Sequence, residues 1–187
     1  MDVLKAIQGR RSVRSYVPGK LDSEVIHTLL AAAVQAPTAI HEEPWGFVVL
    51  QDLKVLKRIS DRAKGFFVDQ ARQRHRDQQA QLSHAERTDF NIFHNAGNLI
   101  VIYGKTENRS VVADCWLAAE NLMLAAYSLG LGTCVIGSAV SALNDPDTRA
   151  ELDISPEFTA FSPIIVGISS GDVELVSRKE PQVLFWK

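Results

Sequence analysis

The sequence predicts an α+β fold, in which a mixed, mostly antiparallel sheet is flanked by helices. Short apolar runs typical of buried strands recur along the chain, and stretches with helical apolar spacing separate them. The chain has 187 residues, of which 46% are hydrophobic, so it can bury a full core. Because no internal repeat or low-complexity linker interrupts it, we expect a single domain over residues 1–187.

The first part of the chain predicts three helices and one strand. A capping residue, Asp22 or Ser23, precedes apolar residues that are spaced as one helix face, and Pro37 is expected to end that segment. Trp45–Leu50 is an uninterrupted apolar run of strand length. The predicted elements are helices over 2–9, 22–33 and about 53–63, and a strand over 45–50.

The second part predicts a long apolar helix between strands. Val111 to Leu129 is apolar almost all round, with Ser110 as its expected cap, so each face of this helix needs a cover. Asp114 and Glu120 within it argue against a membrane span, and we expect Glu120 to pair with an arginine. The remaining predicted elements are strands over 99–103 and 162–168, a strand or strand-to-loop segment over 131–137, and a short helix opened by Asp145-Pro146.

Residues 69–89 differ in composition from the rest of the chain. Gln, Arg, His, Asp and Glu dominate this stretch, so it cannot bury much surface by itself. It predicts an exposed helix, a flap or a mobile excursion. We therefore treat residues 64–90 as a variable segment and a candidate lid.

Charge and cysteine content exclude several classes of function. A net charge of −2 and a pI near 6.2 argue against general affinity for nucleic acid. Cys115 and Cys134 lie in apolar contexts, which predicts buried, reduced thiols in the cytoplasm. The N-terminus lacks the pattern of a signal peptide. We expect no metal, because four histidines lack partners at metal-ligand spacing, namely His27, His75, His84 and His94.

The segment Gly9–Tyr16 contains Arg10, Arg11, Ser12 and Arg14 within five positions. A guanidinium group is planar, always charged and suited to bidentate contact with phosphate oxygens. By itself the cluster predicts either a solvated basic patch or an anion site. On a chain of nearly neutral charge, a local cluster favours a small anionic ligand over a polyanion.

Two further segments accompany the arginine cluster. The loop Ala36-Pro37-Thr38-Ala39 leads to Pro44-Trp45, and Gly130–Gly137 reads Gly-Leu-Gly-Thr-Cys-Val-Ile-Gly. In this order and spacing the three segments resemble the FMN-dependent nitroreductase family, over essentially the whole chain. The resemblance implies a nitroreductase-like α+β fold and an intertwined homodimer with two FMN sites at its interface. It also implies that the apolar helix over 111–129 is the core dimerisation helix.

The resemblance implies roles for particular residues. The arginine segment and a basic residue of the C-terminal tail would hold the FMN phosphate, and Arg14 is the first candidate for a charge near the ring. The proline-bracketed loop would lie along the flavin of the other subunit, and a backbone N–H near Gly137 or Ser138 would face N5. No side chain is implied as catalytic, because the flavin carries the chemistry. The implied cofactor-binding residues are Arg10, Arg11, Ser12, Arg14, Pro37, Thr38, Ala39, His41, Ile136, Gly137, Ser138 and Arg178, with Lys179 as the alternative to Arg178.

The proline-bracketed loop departs from the pattern of the family. Many members have Asn-x-Gln-Pro-Trp where this chain has His41-Glu42-Glu43-Pro44-Trp45. His41 can still hydrogen-bond the ring edge and would respond to pH near neutrality. The carboxylate of Glu43 is unfavourable beside a reduced, anionic flavin, so Glu43 either points away or shifts the redox behaviour.

The implied activity is the NAD(P)H-dependent reduction of nitroaromatics, quinones or similar acceptors by ping-pong exchange. FMN is the implied cofactor, and NADH or NADPH is the electron donor. Three alternatives stay open: the same fold with dehalogenation or flavin breakdown, an FMN-binding protein without turnover, and a nucleic-acid-binding module. The last is disfavoured by the acidic pI and by the lack of aromatic residues among the arginines.

Overall fold

The computed structural model describes residues 1–73, 91–106, 108–171, 173 and 177–187. Within them, four strands form one sheet in the order β1-β2-β4-β3, and each neighbouring pair is antiparallel. An isolated parallel bridge joins Ser12 to Thr133. The predicted α+β class is confirmed. The strands are β1 Trp45–Leu50, β2 Asn98–Lys105, β3 Gly132–Val135 and β4 Phe158–Gly167.

Helices cover both faces of this sheet. The described α-helices are α1 Val3–Gly9, α2 Ser23–Ala33, α3 Leu53–Gln73, α4 Arg109–Ser128, α5 Val140–Leu143 and α6 Pro146–Glu151. Helices α2 and α4 pack on one face, and α3 and α5 pack on the other. None of the described helices is long and apolar enough to cross a membrane.

The central strand β2 contributes to both hydrophobic layers. Leu99, Val101 and Tyr103 enter the layer with α3, whereas Ile100 and Ile102 enter the layer with α4. Successive side chains of a strand point to opposite faces, so a strand covered on both sides is apolar at each position. This explains why the apolar run at 99–103 predicted a buried strand correctly.

Several predicted boundaries were wrong. Helix α3 extends to Gln73 instead of ending near Ala63, because Arg, Lys and Gln sustain a helix even where they bury little surface. Helix α4 is capped by Asn108, whose side-chain oxygen accepts the amide of Val111 at 2.9 Å, and not by Ser110. Most of the candidate lid, together with His75 and His84, lies outside the described residues.

The apolar helix α4 is not covered on every face within one chain. Cys115, Ala118 and Leu122 are fully buried against the sheet and α2. Trp116 and Leu117 on another face are 41% and 46% exposed. The chain alone therefore leaves part of this helix in contact with solvent.

Candidate functional site

The arginine segment runs beside strand β3. The amide of Val13 donates to the carbonyl of Thr133 at 2.9 Å, and Ser12 forms the parallel bridge to Thr133. A Cβ on Gly132 would lie only 2.6 Å from Cγ2 of Val13, so this close approach requires glycine. Contact between these two segments explains why the arginines and the Gly-Leu-Gly-Thr sequence belong to one site.

The segment buries some of its side chains and exposes others. Val13 and Tyr16 are buried, and the Tyr16 hydroxyl donates to the Val13 carbonyl at 2.8 Å. Ser12 and Arg14 are exposed, and Arg10 is half-buried.

Arg10 is held by a carboxylate on α4. Its Nε atom donates to Oε1 of Glu120 at 3.2 Å, which confirms the predicted pairing of Glu120 with an arginine. A guanidinium group has five N–H donors. The terminal nitrogens of Arg10 are therefore the part that an anion would meet.

Three side chains of the segment meet around the thiol of Cys134. Burial raises the pKa of Cys134, while the charge of Arg14, a hydrogen bond from Ser12 and the charge of Arg10 act in the opposite direction. Cys134 is 3% exposed, so its predicted burial is confirmed. Arg10, Ser12 and Arg14 thus all act on one thiol, and we call these three residues the cationic cluster.

Arg11 is directed elsewhere. Its Nη1 atom donates to the carbonyls of Gln8 and Arg10, each at 2.7 Å, and so it satisfies backbone acceptors at the end of α1. Its Nε atom is buried and has no hydrogen-bond partner among the described residues. Together with Arg10 and Val13 it lines a hollow of about 380 Å³. The role of Arg11 at a phosphate stays a prediction.

The proline-bracketed loop projects from the end of α2 and is fixed at both ends. The amide of Ala39 donates to the carboxylate of Asp114, at 3.2 Å to Oδ1 and 3.3 Å to Oδ2. At the other end, the carbonyl of buried Pro44 accepts the Lys105 amide at 2.8 Å. Sequence reasoning missed the contact of Asp114 with this loop. The carboxylate of Asp114 within an otherwise apolar helix was the feature of the sequence that could have indicated this contact.

The segment after β3 turns sharply at the residues expected near the flavin ring. Ile136 is buried, and its amide donates to the Pro163 carbonyl at 2.9 Å. Gly137 and Ser138 are exposed at the start of a 3-10 turn, Gly137–Ala139. Arg178 and Lys179 are exposed in the C-terminal tail, and their role at a phosphate stays a prediction.

The fold and the site define the class of protein: an α+β protein with two arginines and a serine beside an edge strand. The model of the nitroreductase family matches residues 7–167, and this chain belongs to that family of oxidoreductases. The resemblance inferred from the sequence is thereby confirmed.

Individual relatives agree with this assignment. A protein of Methanothermobacter thermautotrophicus with the provisional name NADH dehydrogenase/NAD(P)H nitroreductase is 32% identical over 174 residues, which are 89% of this chain and 77% of the relative. A nitroreductase of Bacteroides fragilis, solved with bound FMN, has a TM-score of 0.85 at 23% identity, covering 100% of both chains. An iodotyrosine deiodinase of Danio rerio is 44% identical over 52 residues, 28% of this chain and 18% of that protein.

Proposed function

We propose that this protein is an FMN-dependent oxidoreductase, which takes a hydride equivalent from NADH or NADPH and reduces a small-molecule acceptor such as a nitroaromatic or a quinone. The single observation that carries the proposal is the pairing of the arginine segment with β3, through the 2.9 Å bond from the Val13 amide to the Thr133 carbonyl, in a chain of the nitroreductase family. The B. fragilis relative that shares the fold was solved with FMN.

The cationic cluster fits the phosphate end of FMN. It offers two guanidinium groups and a hydroxyl, the donors that bind a phosphate dianion well. Arg10 brings its free terminal nitrogens, since Glu120 engages Nε at 3.2 Å. We assign Arg11 to the end of α1, where Nη1 donates to two carbonyls, and retain Arg178 as the additional phosphate ligand.

The ring end of the site requires the turn after β3 and a second subunit. Ile136, Gly137 and Ser138 would pass the ring, with a backbone N–H of Gly137 or Ser138 turned to N5. Pro37, Thr38, Ala39 and His41 would approach from the partner, whose loop projects away from its own sheet. Arg14, an exposed member of the cationic cluster, would supply positive charge to the reduced ring.

A homodimer is supported by apolar surface that one chain leaves exposed. On α1, Val3, Leu4 and Ile7 are 62%, 62% and 52% exposed. Trp116 and Leu117 on α4 are similarly accessible, and the tail residues Leu184, Phe185 and Trp186 are 88%, 80% and 87% exposed. Contiguous apolar surface of this kind marks protein interfaces. A second copy of the chain would cover these surfaces and complete the site.

The flavin and the polypeptide would have separate roles in the reaction. Bound FMN supplies the group that accepts and donates hydride. The chain binds the phosphate through the cationic cluster, orients the ring through the turn at 136–138, and covers it with the partner's loop. Because donor and acceptor would use the same face in turn, a ping-pong scheme follows.

The test is steady-state turnover by purified protein. We expect FMN to be released on denaturation, and NADH or NADPH to be oxidised when a quinone or nitroaromatic is added. Release of deiodinated tyrosine from iodotyrosine at a higher rate would favour the alternative flavin reaction, which the 52-residue match to a deiodinase motivates. Bound FMN without any turnover would indicate a non-catalytic flavoprotein, and absence of flavin would refute the proposal.

A further inference from the structure

We propose that Asp114 is a positioning residue, whose buried carboxylate holds the loop 37–44 in the shape that it presents to the partner's flavin. The inference rests on the proposed function, in which this loop lies along the flavin of the other subunit. It assigns a task in the site to a residue that touches neither the cofactor nor the substrate.

The surroundings of Asp114 indicate a specific need for an acceptor. Asp114 is 5% exposed on α4 and shares that helix with fully buried Cys115 and Ala118. A carboxylate in such a place is unfavourable unless donors compensate its desolvation. Among the described residues, the donor found for both of its oxygens is the amide of Ala39. An apolar side chain would pack equally well at this position but could not accept that bond.

The loop that Asp114 holds has an unusual backbone. Ile40, His41 and Glu43 have φ values of 50°, 59° and 48°, in the left-handed region that non-glycine residues rarely adopt. Such strained conformations persist only where surrounding contacts impose them, and they concentrate at functional sites. The contact of Ala39 with Asp114 is one of these constraints.

Residues 40–43 project between the two fixed ends of the loop. The bond to Asp114 holds the end at Ala39, and the bond from the Lys105 amide holds the end at Pro44. The side chain of Ile40 at the tip is 82% exposed, and His41 beside it is exposed as well. If the bond at Ala39 were lost, the strained residues could relax, and His41 would no longer be presented in a fixed orientation.

The test compares Asp114→Ala with Asp114→Asn, which retains an acceptor oxygen. In Asp114→Ala we expect backbone amides of residues 40–43 to exchange hydrogen at least about tenfold faster, with or without FMN. In the FMN-loaded protein, the visible flavin spectrum should shift and kcat should fall more than KM changes, while FMN occupancy is kept. Asp114→Asn should restore the exchange rates and the spectrum.

A matched control removes a comparable side-chain contact next to α5, on the face of the sheet opposite α4. Asn144 accepts the Ala160 amide at 2.8 Å and donates to the Ala160 carbonyl at 3.0 Å, so Asn144→Ala also removes an acceptor from a backbone amide. We expect it to lower stability without changing loop exchange or the flavin spectrum. If Asp114→Ala and Asn144→Ala behave alike, or Asp114→Asn fails to restore the loop, the proposal is overturned.

Removing the donor tests the same bond from the other side, even if Asp114→Ala does not fold. Ala39→Pro eliminates the amide hydrogen, and the extended Thr38, with φ −126° and ψ 151°, is compatible with a following proline. This variant should reproduce the spectral shift of Asp114→Ala, and an unshifted spectrum would overturn the proposal. If the wild-type protein binds no FMN, the proposed function is refuted by that result alone. The hydrogen exchange of the amides of residues 40–43 in Asp114→Ala still decides whether Asp114 holds the loop.

Discussion

Replacing Arg10 with alanine is expected to weaken FMN binding strongly and to leave riboflavin binding unchanged, because riboflavin lacks the phosphate. Because the Nε atom of Arg10 donates to Glu120 at 3.2 Å, the variant would lose the hydrogen bonds from the terminal nitrogens of Arg10 to the phosphate. A hydrogen bond to a charged group contributes about 1.5–3 kcal/mol, and each ~1.4 kcal/mol is tenfold in Kd. The Kd of FMN should therefore rise roughly 10- to 150-fold.

Glu120→Gln should have a much smaller effect on the same equilibrium. The two side chains of this ion pair are 22% and 44% exposed, and partly exposed pairs contribute about 0–1 kcal/mol. Removing the charge of Glu120 leaves Arg10 in place with an amide oxygen beside it. We expect the Kd of FMN to change by less than about fivefold.

The assay is titration of flavin-free protein with FMN and with riboflavin, followed by flavin fluorescence. Arg11→Ala is the matched control, because its guanidinium group satisfies the carbonyls of Gln8 and Arg10 at the end of α1. It should lower thermal stability and leave the preference for FMN over riboflavin intact. The reasoning is refuted if Arg10→Ala weakens both flavins equally, or if Arg11→Ala removes the preference for FMN as completely.

Three further predictions concern assembly, packing and pH. Trp116→Glu combined with Leu117→Glu should convert the proposed dimer to monomers in analytical ultracentrifugation and reduce FMN occupancy; dimers with full occupancy would exclude this face as the interface. Gly132→Ala should displace the arginine segment, since the added Cβ would lie 2.6 Å from Val13. It should weaken FMN binding at least about tenfold in the fluorescence titration. Unchanged affinity would argue against the pairing of the arginine segment with β3. Burial raises the pKa of Cys115 from 9.0 to about 12. The neutral, buried thiol therefore contributes fully to the free energy of unfolding below pH 9.0. This contribution is lost as the pH rises toward 12, because the thiol of the unfolded chain ionises at lower pH than the buried thiol. Urea unfolding across this range should show a steeper loss in wild type than in Cys115→Ala, and parallel curves would contradict it.

The sequence predicted the elements whose pattern is local. The apolar runs at 45–50 and 99–103 and the Asp145-Pro146 helix start correspond to β1, β2 and α6, because strand alternation and helix capping depend on neighbouring residues. The cap of α4 at Asn108 was missed, since Ser110 two residues later is an equally good capping type.

The candidate site residues could be named from the sequence, and their roles stay predictions, but their arrangement could not be predicted. Composition identified the arginine cluster, and the order of three motifs identified the family. The position of the arginine segment depends on its pairing with Thr133, over more than a hundred positions of sequence, which local patterns do not contain. The contact between Asp114 and Ala39 has the same long-range origin.

The most direct test of the central claim is an anaerobic titration of the purified protein with NADH and with NADPH, observed in the visible flavin absorbance. We expect one of the two nucleotides to bleach protein-bound FMN completely, and a quinone added afterwards to restore the absorbance. A protein that carries no flavin, or bound FMN that neither nucleotide reduces, would contradict it.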